Sequence, residues 1–587
     1  MIRLLFLACA LFAFSGLASA QMTVDQKVSD FTQLAATYAK NYGPYEWKVQ
    51  TQNFDLFKVK TWLDKVKASK DDFEFMVICA DYVAALNDAH DLITFPSDFQ
   101  AYLGFGVDLF DGVYLIESIN TQQLRPTTYP FQVGDELVSV DGVAAAKWVQ
   151  DNRRYGTSAN TRSTARYTSQ YLTFRPQSLI PDAVNLPDRA SVVIKRQSGA
   201  TETYSIPWAK SGTPVYAVGP VPGLNFNADK PVIGRTLRRQ DVTDIPTDDP
   251  APDIDVQYHA APIRELSALR LPESKMPQAI KDVLGIEQVA PLFSYPTGFT
   301  QRLGRSGFDY FASGTITVNG SRIGYIRIPT FLPSSTTAAL NSFVSEVTYM
   351  QANTDGLILD VMRNPGGDAC YPEVMMQYLI PTRFRTIGYE IRATAYWLGL
   401  FSYYLDLDQS FGAPTWIIKT DQALLDGMKQ AYSENRGRTG PIPICGYSLD
   451  VDPATDRTGK VTGYSKPIMV VTDEMSASAA EVFAAIFQDN KRGLVYGMRT
   501  MGAGGNVSQM TGTTFSEATI TVTDSLMNRK SPVVTTDNPT APYVENIGVR
   551  PDVQVDFMTK DNLINKGKTF ATGLFNDMAK YIQTGKL

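Results

Sequence analysis

Two short stretches of this 587-residue chain are apolar on both sides of what would be a strand, and they limit the fold more than any other feature. "GLILDVM" occupies residues 356–362 and "KPIMVVTD" residues 466–473. A strand with one face in water alternates polar and apolar residues, whereas a continuous apolar run needs cover on both faces. An amphipathic helix is expected from Ser334 to Asn353 ahead of the first run, and another from about Ser478 to Asp489 behind the second. Strands alternating with helices imply βαβ units and a mostly parallel sheet. Residues 313–587 are therefore expected to form an α/β core, opened by a hairpin in "TITVNGSRIGYIRI".

The rest of the chain divides by pattern. Residues 1–20, MIRLLFLACALFAFSGLASA, combine Arg3, an apolar run and Ala18-Ser19-Ala20, the layout of a cleavable secretory signal peptide. No later segment is long and apolar enough for a bilayer span, so an exported protein, periplasmic or extracellular, without stable membrane insertion is expected. Residues 21–98 are expected to be helical, with Val28, Phe31, Leu34, Ala35 and Tyr38 on one face. Residues 99–212 read as short strands with an insertion from about Lys147 to Asp188. Residues 213–312 include an acidic, proline-rich portion and are expected to be a linker or a regulatory insertion, the second reading implying self-cleavage within this loop.

A formal net charge of −6 and few basic runs exclude nucleic acid as the expected partner. Past the leader the cysteines are Cys79, Cys370 and Cys445, too few for a disulfide framework, although one pair could close in an oxidising compartment. With two histidines, His90 and His259, and no Cys-x-x-Cys or His-x-x-x-His spacing, no metal site is expected.

Ser478 stands where "IMVVTD" turns into the helix "ASAAEVFAAIFQD". A helix start leaves backbone N–H groups unpaired and favours negative charge, so a serine there suits nucleophilic attack; the same serine would equally serve as an N-cap. "DVMRNPGGD", residues 360–368, follows the other buried strand, and its glycines expose backbone N–H groups that could face a developing oxyanion.

"LILDVMRNPGGD" and "SASAAEVFAAIFQDNKRGLVYGMRTMGAGG", with "GYIRIPTF" before and "YVENIGVRPDVQV" after them, resemble the C-terminal processing peptidase superfamily. Its members include tail-specific proteases, the tricorn core and the chlamydial protease-like activity factor. The resemblance implies a ClpP/crotonase-like α/β core and a serine endopeptidase acting on proteins or peptides through an acyl-enzyme, with no cofactor. It makes Ser478 the nucleophile, with the oxyanion hole at the N–H groups of Gly366 and Ala479 and Gly367 as a substitute donor. In the tail-specific branch the base is a lysine within Gly-Lys-Gly; here that segment is Gly502-Ala503-Gly504, so the lysine is missing. "LNDAHDLITF" resembles instead the histidine segment of the tricorn-like branch, which makes His90 the base and Glu545 the carboxylate orienting it, with Asp88 as competitor. "YLGFGVDL" and "GDELVSVDGV" resemble PDZ signatures, implying either a peptide-binding loop at Leu103, Gly104 and Phe105 or, given the long insertion after Val143, a degenerate PDZ domain with a structural role. Two other readings are a non-catalytic ligand- or peptide-binding protein on this fold, and a Ser-Lys peptidase with a displaced lysine such as Lys491.

Overall fold

The computed structural model describes residues 21–218, 286–510 and 512–587. The leader Met1–Ala20, His259 and the acidic proline-rich stretch, with the self-cleavage expected there, lie outside the described residues.

The two apolar runs become neighbouring strands, Gly356–Asp360 and Ile468–Thr472, paired in parallel at the centre of a seven-stranded sheet. The strand order is Thr300–Leu303, Ala312–Val318, Ser321–Arg327, Gly356–Asp360, Ile468–Thr472, Leu494–Gly497 and Val553–Gln554. The first two pairings are antiparallel, and the remaining four are parallel. Side-chain alternation explains why the central strands are apolar throughout. Leu357, Leu359, Ile468 and Val470 join the core under Thr336–Asn353 and Ala479–Asp489. Ile358, Met469 and Val471 point the other way, against Phe570, Leu574, Phe575 and Met578 of the C-terminal helix Lys568–Thr584. Full burial of each such side chain contributes about 1.5–3 kcal/mol.

The core sheet begins earlier than the sequence pattern suggests. Thr300–Leu303 is its edge strand, and Phe293 packs against Phe570 and Phe575, so residues 286–312 are built into the core and are not a free linker.

Four helices, Val24–Asn41, Tyr45–Gln52, Lys60–Ala68 and Asp72–Ala84, open the described chain. The first is fixed at its start by a reciprocal capping box between Thr23 and Gln26. After the fourth, Leu92–Thr94 pairs antiparallel with Thr519–Thr523, which docks the His90 segment onto the far end of the chain.

Residues 105–207 build a second sheet, ordered Phe105–Phe110, Val113–Ile119, Glu136–Val140, Arg189–Lys195 and Thr201–Pro207, with Val143–Ala144 off its path. The stretch read as an insertion is folded. It contributes the helix Thr161–Gln170 and the strand Phe174–Pro176, which pairs with Gln100–Tyr102. Arg166 on that helix is fully buried and ties the two units together. It donates to Asp108 of this sheet (2.8 Å) and to Glu474 of the loop before Ser478 (3.1 Å). No helix among the described residues is long and apolar enough to cross a membrane.

Candidate active site

Ser478 adopts φ 54° and ψ −117°, backbone angles that an L-residue holds only where its surroundings dictate them, at about 1–3 kcal/mol. The surroundings are dense. The Ala477 N–H donates to the Asn364 carbonyl, Met501 N–H to the Ser476 carbonyl and Ser476 Oγ to the Val361 carbonyl. Asp473 accepts from the N–H groups of Arg363 (2.8 Å) and Met475 (3.1 Å). Between Ile468 and Phe487, Ser478 is the one residue that is not buried. A strained serine held open to solvent at a helix start has the geometry of a nucleophile elbow.

Gly366 and Gly367, with φ of 102° and 138°, lie beside it. A Cβ on Gly366 would stand 2.7 Å from Ser478 Cβ and 2.8 Å from the Ala479 nitrogen, so only glycine lets this loop approach. The Gly366 N–H, however, donates to Asn364 Oδ1 (2.9 Å), which removes it from the oxyanion hole expected from the sequence. The N–H groups of Gly367 and Ala479 have no acceptor among the described residues and are the available pair.

Where the tail-specific branch carries its lysine, this chain has a backbone turn held between two buried carboxylates. Glu481 accepts from the N–H groups of Gly502 and Ala503 (both 2.7 Å), from Thr500 Oγ1 (2.6 Å) and from the Ser478 N–H (3.1 Å). Burial pushes its carboxyl up to about 7, against the pull of those donors. Glu545 accepts from the Gly504 N–H (2.8 Å). The Ser-x-x-Glu spacing of a capping box, Ser478 to Glu481, is the sequence signal that identifies the first of these.

His90 is buried, its main-chain N–H donating to Asp88 Oδ1 (2.9 Å) and its carbonyl accepting from Thr521 Oγ1 (2.7 Å). Both ring nitrogens are without a partner among the described residues. Burial lowers the imidazole's affinity for a proton, with Lys48 pulling the same way and Asp88 the other. His90, Ala89, Ala477 and Ala503 line one cavity of about 650 Å³, so the candidate base and the loop carrying Ser478 meet there.

Glu545 is also fully buried, but its partners are not those expected. Its Oε1 accepts from Lys48 Nζ (2.5 Å) and its Oε2 from Gly504, which leaves no direct hydrogen bond to His90. Burial first, and then Asp88, push its carboxyl up to about 8. Asp88, the competitor, spends its oxygens on the His90 N–H, Thr523 Oγ1 (3.0 Å) and Tyr42 OH (2.8 Å). Lys491 is exposed beyond the C-terminal end of the helix that Ser478 starts, roughly 16 Å along its axis; that distance removes it as a base for Ser478.

The loop Leu103-Gly104-Phe105 is not an open carboxylate cradle. Leu103 and Phe105 are buried, and the Leu103 N–H donates to the carbonyl of Thr173, which follows the insertion helix. That helix also lies along Phe105–Phe110, where Ser169 Oγ donates to the Val107 carbonyl (3.3 Å). Peptide capture at this loop, expected from its sequence, meets a site filled by the chain itself.

Residues 322–555 match the profile of peptidase family S41, and residues 99–216 that of a PDZ domain. A protein of Chlamydia muridarum is 25% identical to this chain, over 95% of this chain and 93% of its own length. One from Chlamydia trachomatis serovar D is 24% identical, over 91% and 89%. The crystal structure of mature CPAF superposes with a TM-score of 0.71 at 20% identity, covering 95% of this chain and 98% of that one, a likeness of fold.

Proposed function

We propose, from the match of residues 322–555 to peptidase family S41, that this serine peptidase is an exported endopeptidase whose nucleophile is Ser478 and whose base is His90. The observation that carries the reading is Ser478 itself, strained, open to solvent, and set against two free N–H donors. Ser478 Oγ attacks the peptide carbonyl while His90 takes its proton. The N–H groups of Ala479 and Gly367 stabilise the tetrahedral oxyanion. His90 then returns the proton to the leaving amine, and water releases the acyl group from Ser478 by the reverse sequence. Glu545, in its ionised form, supplies negative charge to the imidazolium that forms in each step. A fluorophosphonate probe tests the reading against a non-catalytic binding protein on this fold, because only an activated serine is labelled.

Export is supported by two features. The first twenty residues have the composition of a signal peptide, and Cys370 and Cys445 form a disulfide (Cα–Cα 5.2 Å), a bond that persists in oxidising compartments.

The cavity beside His90 suggests which substrates fit. Its walls include Phe95, Phe99, Tyr167, Tyr171, Phe174 and Met501. Tyr167 and Tyr171 come from the insertion helix and its C-terminal end, so the insertion serves the catalytic cleft. A bulky apolar side chain next to the scissile bond is expected to raise kcat/KM by about 10-fold or more over aspartate or lysine at that position. A series of fluorogenic peptides varied at one position measures this, and a flat series would remove the cavity from specificity.

A further inference from the structure

Lys48 has no role in the reaction as described, yet it is wholly buried on a short helix, Tyr45–Gln52, whose only other buried residue is Trp47. Burying an ammonium costs several kcal/mol unless it is fully paired. If this position needed packing alone, methionine would do. An ammonium has three N–H donors, and here each finds an acceptor: Glu545 Oε1 at 2.5 Å, Asn546 Oδ1 at 2.7 Å and the Asn87 carbonyl at 2.9 Å.

These acceptors belong to two segments that meet only in the folded chain. Asn87 stands three residues before His90, and Glu545 and Asn546 lie in the segment that closes the peptidase core. The surroundings of Lys48 fasten the same two segments. Trp47 Nε1 donates to the Glu545 carbonyl (3.1 Å), and Asn546 Nδ2 donates to the Asn87 carbonyl (2.9 Å). We propose that Lys48 is a positioning residue of the catalytic centre, locking the Glu545 carboxyl group to the His90 segment. The inference rests on the reading of His90 as base and Glu545 as its carboxylate.

The charges around the centre indicate how Lys48 acts. Glu545 is crowded by Asp88 and Asp91 from the His90 segment, whose charges also act on the phenols of Tyr38, on the first helix, and of Tyr42, just past its end. Lys48 is the cation among them. Burial and Asp88 drive Glu545 toward its protonated form, and Lys48 opposes this. Lys48 also lowers the proton affinity of His90. Without Lys48, both groups would hold protons to higher pH. A protonated Glu545 offers no charge to the imidazolium, and a protonated His90 takes no proton from Ser478, so both changes move the acid limb of activity upward.

The test uses the full chain with Lys48→Met, Lys48→Arg, Glu545→Gln and the double variant Lys48→Met/Glu545→Gln, assayed for kcat, KM and pH profile on denatured casein. His90→Ala is run beside them. Lys48→Met is expected to lower kcat about 10- to 100-fold with KM nearly unchanged. It should also move the acid limb of kcat up by about one unit or more, and Lys48→Arg should restore part of both. Because the positioning by Lys48 runs through Glu545, kcat of the double variant at a pH where His90 is neutral should be little lower than that of Glu545→Gln alone. A folded Lys48→Met enzyme with wild-type kcat and an unmoved pH profile overturns the proposal, while an inactive His90→Ala beside it leaves the base standing. If Lys48→Met does not fold, the double variant, which removes both charges together, decides in its place. Full activity there overturns the role of the pair. An active His90→Ala instead overturns the base assignment, and the Lys48 proposal with it.

Discussion

Ser478→Ala is expected to abolish peptide hydrolysis, lowering kcat by roughly 10⁴-fold or more, as loss of a triad nucleophile does. The folded state should be nearly unaffected. The change deletes one hydroxyl, and the hydrogen bonds that hold the turn run through the main-chain N–H of Ser478, the Ala477 N–H and Ser476 Oγ. Alanine inherits the positive φ, but glycine does not suffer from it. Ser478→Gly should therefore be as inactive as alanine and more stable, by about 1 kcal/mol, because it releases strain that serves only the nucleophile. Thermal unfolding of the three forms next to a casein assay checks both halves. A glycine variant less stable than wild type would mean that the serine side chain supports the fold.

His90→Ala should cost about as much as losing Ser478, since members of a catalytic unit fail together. The pH dependence is the sharper signature. His90 must be neutral to act as base, and its burial depresses its proton affinity below that of an ordinary histidine. The last of the activity should therefore be lost only below pH of about 6.5, the unperturbed value, as acid protonates the ring, after protonation of Glu545, pushed up to about 8, has already reduced it. Plotting kcat/KM against pH for the wild type reads this limb directly. A single limb at pH of about 10 would point to a lysine, and His90→Ala with ordinary turnover would remove the imidazole from the mechanism.

The parts of this molecule that were legible in its sequence are those where burial and periodicity agree. The strands Gly356–Asp360 and Ile468–Thr472 could be read because both of their faces are covered. The place of Ser478 at a strand-to-helix turn follows from the same pattern, whereas its role as nucleophile comes from the family resemblance and not from that position. Buried polar groups defeat the same reasoning. The helix Thr161–Gln170, TRSTARYTSQ, has few apolar residues and looks like a solvated loop, yet Arg166 in its middle is buried by pairing with Asp108 and Glu474. Edge position hides Thr300–Leu303, whose side chains are only partly covered and show no alternation. Lys48 is invisible for another reason. Its partner Glu545 lies 497 residues away, and nothing in "YEWKVQ" marks the lysine as anything but a surface residue. The glycine loop shows a finer limit: its backbone N–H groups could be anticipated, but only the geometry reveals that Asn364 has already taken the one on Gly366.

The central claim is that Ser478 is made nucleophilic by His90, and a single measurement addresses both residues. The full chain and its His90→Ala variant are treated with a fluorophosphonate probe, and the modified peptide and its rate of formation are determined by mass spectrometry. The account predicts that Ser478 alone is modified in the wild type, and that the rate falls by about 100-fold or more when the imidazole is removed. Modification of a different serine, or of Ser478 at an unchanged rate in His90→Ala, would contradict it.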